Sequence, residues 1–255
     1  MPAAPRFYCA EPMHTGATLG LPAGAARHVQ VLRLQPGDTI TLFGSACGGE
    51  FDATITEMGR TAVQVVVGRH CPVERESAQR VHLAIGMPAN ERMDWLVEKA
   101  TELGAASIQP LMSERSVVRL DEVRARKKTA HWNAIAIAAC EQCGRNRIPT
   151  VHMVSTLAAW GRMSFDAAAV AGGGAAQRLV LSLRPGTPLL RHSITMAAPA
   201  TPESLRPVTL LSGPEGGLSA AEEEWALRQG FAPVSLGARV YRAETAALAA
   251  LTLLA

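Results

Sequence analysis

The thirteen residues Leu210-Leu211-Ser212-Gly213-Pro214-Glu215-Gly216-Gly217-Leu218-Ser219-Ala220-Ala221-Glu222 constrain this chain more than any other stretch. The apolar run from Val208 to Leu211 predicts a buried strand. It stops at a loop, Gly213 to Gly217, whose three glycines permit backbone angles and close approaches that side chains forbid. Ser219 with Glu222 three places on is a capping box, so a helix opens there. Strand, glycine loop and helix start together make a cradle for a small ligand, because the first N–H groups of a helix lack internal partners. The loop has neither the dinucleotide-binding spacing nor the Lys-Ser/Thr pair of a phosphate loop. A lone glycine turn is usually only a tight connection. Here a second loop, Leu236 to Ala247, again runs from a strand end into an apolar helix, with Arg239, Arg242, Glu244 and Thr245 just ahead of it or at its start.

The rhythm of the chain divides it in two. Thr39–Phe43, Phe51–Thr56 and Ala62–Val67 are short runs rich in β-branched residues, separated by turns at 44–49 and 57–60. Gly68 to Arg80, with Pro72 and alternating charges, reads as a linker. Beyond it strands and helices alternate, which predicts a mostly parallel sheet and an α/β class. Val81–Met87, Ile108–Met112 and Leu179–Leu183 are expected strands, the last approached through a glycine lead-in at 172–174. One helix is expected from about Asn90 to Leu103, with Met93, Leu96, Val97, Ala100 and Leu103 on one stripe and Gly104 as its stop. Another starts near Asp121 and buries Trp132, Ile135, Ala136, Ala139, Cys140 and Cys143.

A 255-residue chain that is 48% hydrophobic and 18% charged is long and apolar enough to bury a core, and it excludes wholesale disorder. The net charge of +3 fits an RNA ligand without demanding one. No apolar run is as long as a membrane span, and the first residues lack a signal-peptide core. Five cysteines, an odd number without a disulfide framework, point to a reducing, cytoplasmic setting. Cys140 and Cys143 have the spacing of a redox or zinc pair, but no second pair exists and both fall on an apolar helix stripe, so no metal is expected.

At its two C-terminal loops the chain resembles the SPOUT class of methyltransferases, whose C-terminal backbone forms a trefoil knot holding S-adenosylmethionine. More narrowly it resembles the RsmE family, which methylates N3 of a uridine in 16S ribosomal RNA. Glu91 to Trp95, Glu98 to Gly104 and Ile135 to Pro149 match the family in the same order. The resemblance implies a PUA-like small β-barrel over residues 1–72 and a SPOUT α/β trefoil-knot domain over 73–255. It also implies a homodimer and 16S rRNA as partner, with the small ribosomal subunit as its setting. The competing expectations are a knotted ribose 2′-O-methyltransferase, or a non-catalytic RNA-binding protein with a vestigial cofactor site.

The resemblance assigns S-adenosylmethionine to three loops: Leu183 and Pro185; Leu211, Ser212, Gly213, Pro214, Glu215, Gly216 and Gly217; and Leu236, Gly237, Val240, Tyr241, Arg242 and Thr245. Tyr241 stands where the family usually has Leu. Uracil N3 is a poor nucleophile until its proton leaves, so a group must accept that proton or stabilise charge on O2 and O4. Arg242 is the candidate for the charge. Glu215 and Glu244 are the nearby carboxylates, each able to act as base or to hold neighbouring groups in place. For RNA the resemblance and charge pattern select Arg6, Tyr8, His28, Arg33, Arg115, Arg145 and Arg147. The stretch from Glu114 to Arg147 has eight Lys and Arg against four Asp and Glu, and Arg124 to Lys128 within it read as a solvated helix face.

Overall fold

The computed structural model describes residues 4–44, 47–89, 91–165, 177–194 and 206–255. The glycine lead-in at 172–174 and Asn90 lie outside them. Contacts group residues 1–76 with 137–148 in one compact unit, and 77–136 with 149–255 in a second.

The first unit contains β1 (Arg6–Tyr8), β2 (Thr18–Gly20), α1 (Ala23–Val31), β3 (Thr39–Phe43), β4 (Glu50–Met58) and β5 (Val63–Cys71). The strands form one sheet in the order β1-β3-β4-β5-β2, with β1 parallel to β3 and the other pairs antiparallel. Alternating side chains from β3, β4 and β5 meet the buried face of α1: Ile40, Leu42, Ala53, Ile55, Val63, Val65 and Val67 pack with Ala26 and Val29. The expected linker at Gly68 is instead strand. β5 continues to Cys71, and the register against β4 shifts between Phe51 and Ala53, opposite this glycine. Gly68 sits close against the Asp52 carbonyl, where a side chain would crowd it, so it marks a bulge and not a strand end.

The second unit opens with β6 (Val81–Gly86), α2 (Glu91–Glu102), β7 (Ser107–Met112) and α3 (Glu122–Cys143), whose last residues group with the first unit. It continues through β8 (Thr150–Val151), β9 (Ser155–Thr156), α4 (Leu157–Phe165), β10 (Gln177–Leu181) and α5 (Leu190–Ile194). It closes with β11 (Val208–Ser212), α6 (Ala220–Arg228), β12 (Ala232–Val234) and α7 (Ala243–Leu254). The sheet order is β12-β10-β11-β6-β7-β8, with β9 also on β7, and every pairing is parallel. This is the α/β sheet expected from alternating strands and helices. The central strands are buried on both faces: Val180, Leu210, Leu211 and Ile85 are fully shielded, each worth about 1.5–3 kcal/mol of transfer free energy.

Helix α2 buries Met93, Leu96, Val97 and Ala100, leaves Leu103 half-buried, and ends at Gly104 with φ +91°. In α3, Ala125, Thr129, Trp132, Ala136, Ala139 and Cys140 are buried, while Ile135 and Cys143 are only half-buried. Burial pushes the Cys140 thiol up to about 12, so it packs as a small hydrophobe. Among the described residues no helix is long and apolar enough to cross a membrane.

Candidate functional site

In an open parallel sheet, ligands bind beyond the carboxyl ends of the strands. The carboxyl ends of β10, β11 and β12 converge here on one cleft, lined by Leu181 to Leu183, Ser212 to Glu215, Gly217, Leu218 and Val234 to Gly237. Arg239, Val240, Tyr241, Ala243 and Ala246 close the remaining side. The cleft encloses about 660 Å³, counting its open mouth, which is within the range for a cofactor site.

Two close approaches shape its floor. Gly213 is folded against its own loop: a Cβ there would lie 2.6 Å from the Leu218 nitrogen and 2.7 Å from the Gly217 carbonyl carbon. Gly86, at the end of β6, has Pro214 stacked on it, and a Cβ would lie 2.6 Å from the Pro214 nitrogen. Only glycine fits at either point. The loop is braced from outside as well. Arg115 Nη1 donates to the Gly216 carbonyl at 3.0 Å and to the Leu218 carbonyl at 3.4 Å. Glu222 completes the capping box with Ser219 and also accepts from the Glu114 N–H at 2.7 Å. On the β10 side, Ser182 donates to Glu223, which pairs with Arg184 at 3.1 Å. The upper wall carries a stacked pair: the Arg239 guanidinium lies 5.7 Å from the Tyr241 ring centroid, and its Nη2 donates to the Tyr241 hydroxyl at 2.9 Å.

The cleft fits a nucleoside-type ligand in size and in its apolar walls at Leu181, Leu183, Val234 and Leu236. Of the residues expected to hold the cofactor, Leu183, Ser212, Gly213, Pro214, Glu215, Gly217, Leu236, Gly237, Val240 and Tyr241 line it. Leu211 is instead buried in β11, and Gly216 faces Arg115. Pro185, Arg242 and Thr245 are not among its lining residues. Sequence reasoning placed Arg239 in the second loop without a cofactor role, and did not single out Leu181, Ser182, Leu218, Val234, Ser235, Ala243 or Ala246, which the strand ends and the start of α7 bring there.

Arg242 and Thr245 line a second cavity, with Glu91, Arg92, Trp95 and Glu244. Arg242 is the N-cap residue of α7, and its side chain makes no capping hydrogen bond. Arg92 sits between the two candidate carboxylates: its Nη1 donates to Glu215 Oε1 at 3.2 Å, and its Nε is 3.9 Å from Glu244 Oε1. Glu215 Oε1 also accepts from the Ala89 N–H at 2.9 Å. Burial pushes the Glu215 carboxyl up, but the Ala89 N–H, its own N–H and Arg92 outweigh it and hold the group below the usual carboxylate range. Glu244 differs. It is 6% exposed, and its Oε2 is shielded from water with no hydrogen-bond partner among the described residues.

The residues expected to touch RNA divide sharply. Arg6 is spent within its own unit: it pairs with Glu50, donates to Asn146 Oδ1 at 2.8 Å and stacks over Phe43. Arg145 is 5% exposed and its Nε donates to Glu76 at 2.9 Å, so burial and pairing make it a strut and correct the expectation of a phosphate contact. Arg115 braces the glycine loop through Nη1 and is itself exposed. Arg147 is largely exposed and pairs with Glu74 at 2.9 Å. The Tyr8 N–H donates to Glu141, and His28 packs edge-on against Phe7 with Glu141 at 3.8 Å. Arg33 is exposed and holds a left-handed φ of 57°, one place past the C-cap of α1.

Comparison with known proteins places these features in a family context. The RNA methyltransferase domain family matches residues 75–255. The ribosomal RNA small subunit methyltransferase E of Bacillus subtilis is 33% identical over 236 residues, 88% of this chain and 84% of its own. A methyltransferase from Legionella pneumophila, solved with the cofactor SAM bound, is 35% identical with a TM-score of 0.85, covering 98% of this chain and 96% of its own. A ribosomal RNA small subunit methyltransferase E from Neisseria gonorrhoeae, bound to S-adenosyl methionine, is 34% identical with a TM-score of 0.81 over the same shares.

Proposed function

Because this chain belongs to the RNA methyltransferase family that includes the ribosomal RNA small subunit methyltransferases E, we propose that it methylates N3 of a uridine in 16S rRNA using S-adenosylmethionine. One observation carries the reading: consecutive residues at the start of α7 alternate between two cavities, Tyr241 and Ala243 lining the glycine-floored cleft at the strand ends and Arg242 and Glu244 lining the other. Relatives solved with S-adenosylmethionine share this fold over nearly their whole length.

The loops after β10, β11 and β12 hold the cofactor, largely through backbone groups at Gly213, Gly217, Leu236 and Gly237. When bound, it supplies an electrophilic methyl group on a sulfonium. The chain's own work is orientation, exclusion of water and proton management. Glu215 is a weak base, since three donors already stabilise its charge, and its role is to fix Arg92 and the Ala89 backbone. Glu244, which lines the same cavity as Arg242, is the acceptor for the N3 proton. Arg242 donates to a uracil carbonyl and stabilises the charge that develops there.

The remaining parts of the reading follow the same family. Residues 1–72 serve as a PUA-like RNA-binding barrel, with Tyr8, His28, Arg33 and Arg147 available to RNA. Residues 73–255 form the methyltransferase domain, threaded as a trefoil knot. Parallel strands β10 and β11 standing between β12 and β6 support that threading. The working form is a cytoplasmic homodimer. The test is transfer of labelled methyl from S-adenosylmethionine to small ribosomal subunits lacking the modification, with nucleoside mass analysis. The expected product is 3-methyluridine. Label on a ribose hydroxyl would establish a 2′-O-methyltransferase, and no transfer together with no binding heat from adenosylhomocysteine would establish a vestigial site.

A further inference from the structure

Leu183 lines the cofactor cleft and is 71% exposed. A leucine left in water at the lip of a ligand cleft gains cover only when the ligand arrives. The residues on either side of it are held fast. Ser182 is buried: its N–H donates to the Val234 carbonyl at 2.9 Å, and its hydroxyl donates to Glu223 Oε1 and accepts from the Arg184 N–H at 3.1 Å. The Arg184 Nε lies 3.1 Å from Glu223 Oε2. One carboxylate on α6 therefore grips both neighbours of Leu183, one with each oxygen. Further along, Thr187 donates to the Arg184 carbonyl through its N–H at 3.2 Å and its hydroxyl at 2.7 Å. The Ser235 N–H donates to the Pro188 carbonyl at 2.8 Å, which ties the far end of the segment to the loop after β12. Glu223 itself is not among the residues lining the cleft.

We propose that Glu223 is a positioning residue for the cofactor: by holding Ser182 and Arg184 from α6, it fixes Leu183 at the lip of the cleft and sets the affinity of that wall for an adenosine ligand. The assignment rests on the functional reading above and adds to it a residue outside the cleft. The chemistry calls for an ionised carboxylate. A hydroxyl and a guanidinium both donate to this group, and a carboxylate offers two acceptor oxygens where an amide offers one. Without Glu223, the Ser182 hydroxyl and the Arg184 guanidinium lose their common anchor, and the exposed Leu183 between them is no longer held against the cleft.

The test measures adenosylhomocysteine affinity by calorimetry, KM for S-adenosylmethionine, kcat, and thermal melts. It compares wild type with Glu223→Ala, Glu223→Gln, Leu183→Ala and the Glu223→Ala/Leu183→Ala double variant. Glu223→Ala should weaken adenosylhomocysteine binding and raise KM about 10-fold, as a misplaced wall does, with kcat within about twofold of wild type. Leu183→Ala should match it, and the double variant should lose little more than either single one, because Glu223 acts through Leu183. Glu223→Gln keeps one acceptor and should lose about threefold. If Glu223→Ala does not fold, this variant carries the test. The exposed Glu224, changed to Gln on the same helix, should leave all four readings at wild-type values. Wild-type affinity in Glu223→Gln would overturn the proposal, and so would full additivity in the double variant. Wild-type protein giving no binding heat with adenosylhomocysteine would instead overturn the functional reading, and this inference with it.

Discussion

Gly86→Ala is the sharpest perturbation of the cofactor cleft, although Gly86 itself does not line it. The added methyl would lie 2.6 Å from the Pro214 nitrogen and 3.0 Å from the Gly213 carbonyl carbon, and also against Pro214 Cδ. Unstrained contacts between such atoms lie near ~3.5–4.0 Å, so the chain must open by about 1 Å. Neither side yields easily. Gly86 is tied into β6, paired with Leu111 on β7, and the Gly213 turn is already closed on Gly217 and Leu218. Overpacking of this kind costs about 1–3 kcal/mol, a fall of roughly 3–10 °C in Tm for a unit of this size. Because the displaced atoms are the floor of the cleft, adenosylhomocysteine affinity should fall at least ~10-fold; displacements near 1 Å at such sites are worth up to ~100-fold. Gly24→Ala is the control. Its Cβ would enter open space on α1, and alanine should raise stability by about 0.5–1 kcal/mol without touching cofactor affinity. Calorimetry and thermal melts on both variants are the assay. Wild-type affinity in Gly86→Ala would refute the argument that this close approach sets the cleft floor.

Three further outcomes follow from the same geometry. Glu244→Gln should slow single-turnover methylation by about 100-fold or more while leaving adenosylhomocysteine affinity intact; an unchanged rate would remove Glu244 as the proton acceptor. Burial lowers the pKa of His82 and His152, so the unfolded chain takes up protons near 6.5 while the folded chain resists them. Stability should therefore fall as pH drops below that value, and the urea midpoint of a His82→Gln/His152→Gln variant should show a shallower decline. Arg33→Gly should raise stability by about 1 kcal/mol by relieving the left-handed backbone, yet weaken RNA retention in filter binding; unchanged retention would show that the Arg33 side chain is not used.

The sequence exposed those parts of the fold that local chemistry dictates. Thr39–Phe43 and Val208–Leu211 announce themselves by β-branched and apolar runs, and Ser219 with Glu222 forms the capping box its spacing demands. What stayed hidden depends on which distant segments meet. Gly68 looks like a turn until its partner strand is known. Gly86 looks like any strand glycine until Pro214 is laid upon it. Arg115 and Arg145 carry the same charge as Arg147, and only long-range partners at Gly216 and Glu76 reveal them as braces. Arg92 and Trp95 are ordinary positions on the surface of a helix until the start of α7 forms a cavity beside them.

A crystal structure of this protein with adenosylhomocysteine and a uridine-containing RNA fragment tests the central claim most directly. The account predicts the adenosine among Gly213, Gly217, Leu236 and Gly237, with the sulfur facing the cavity of Arg242 and Glu244. Ligand density elsewhere, or a sulfur turned away from those two residues, would contradict it.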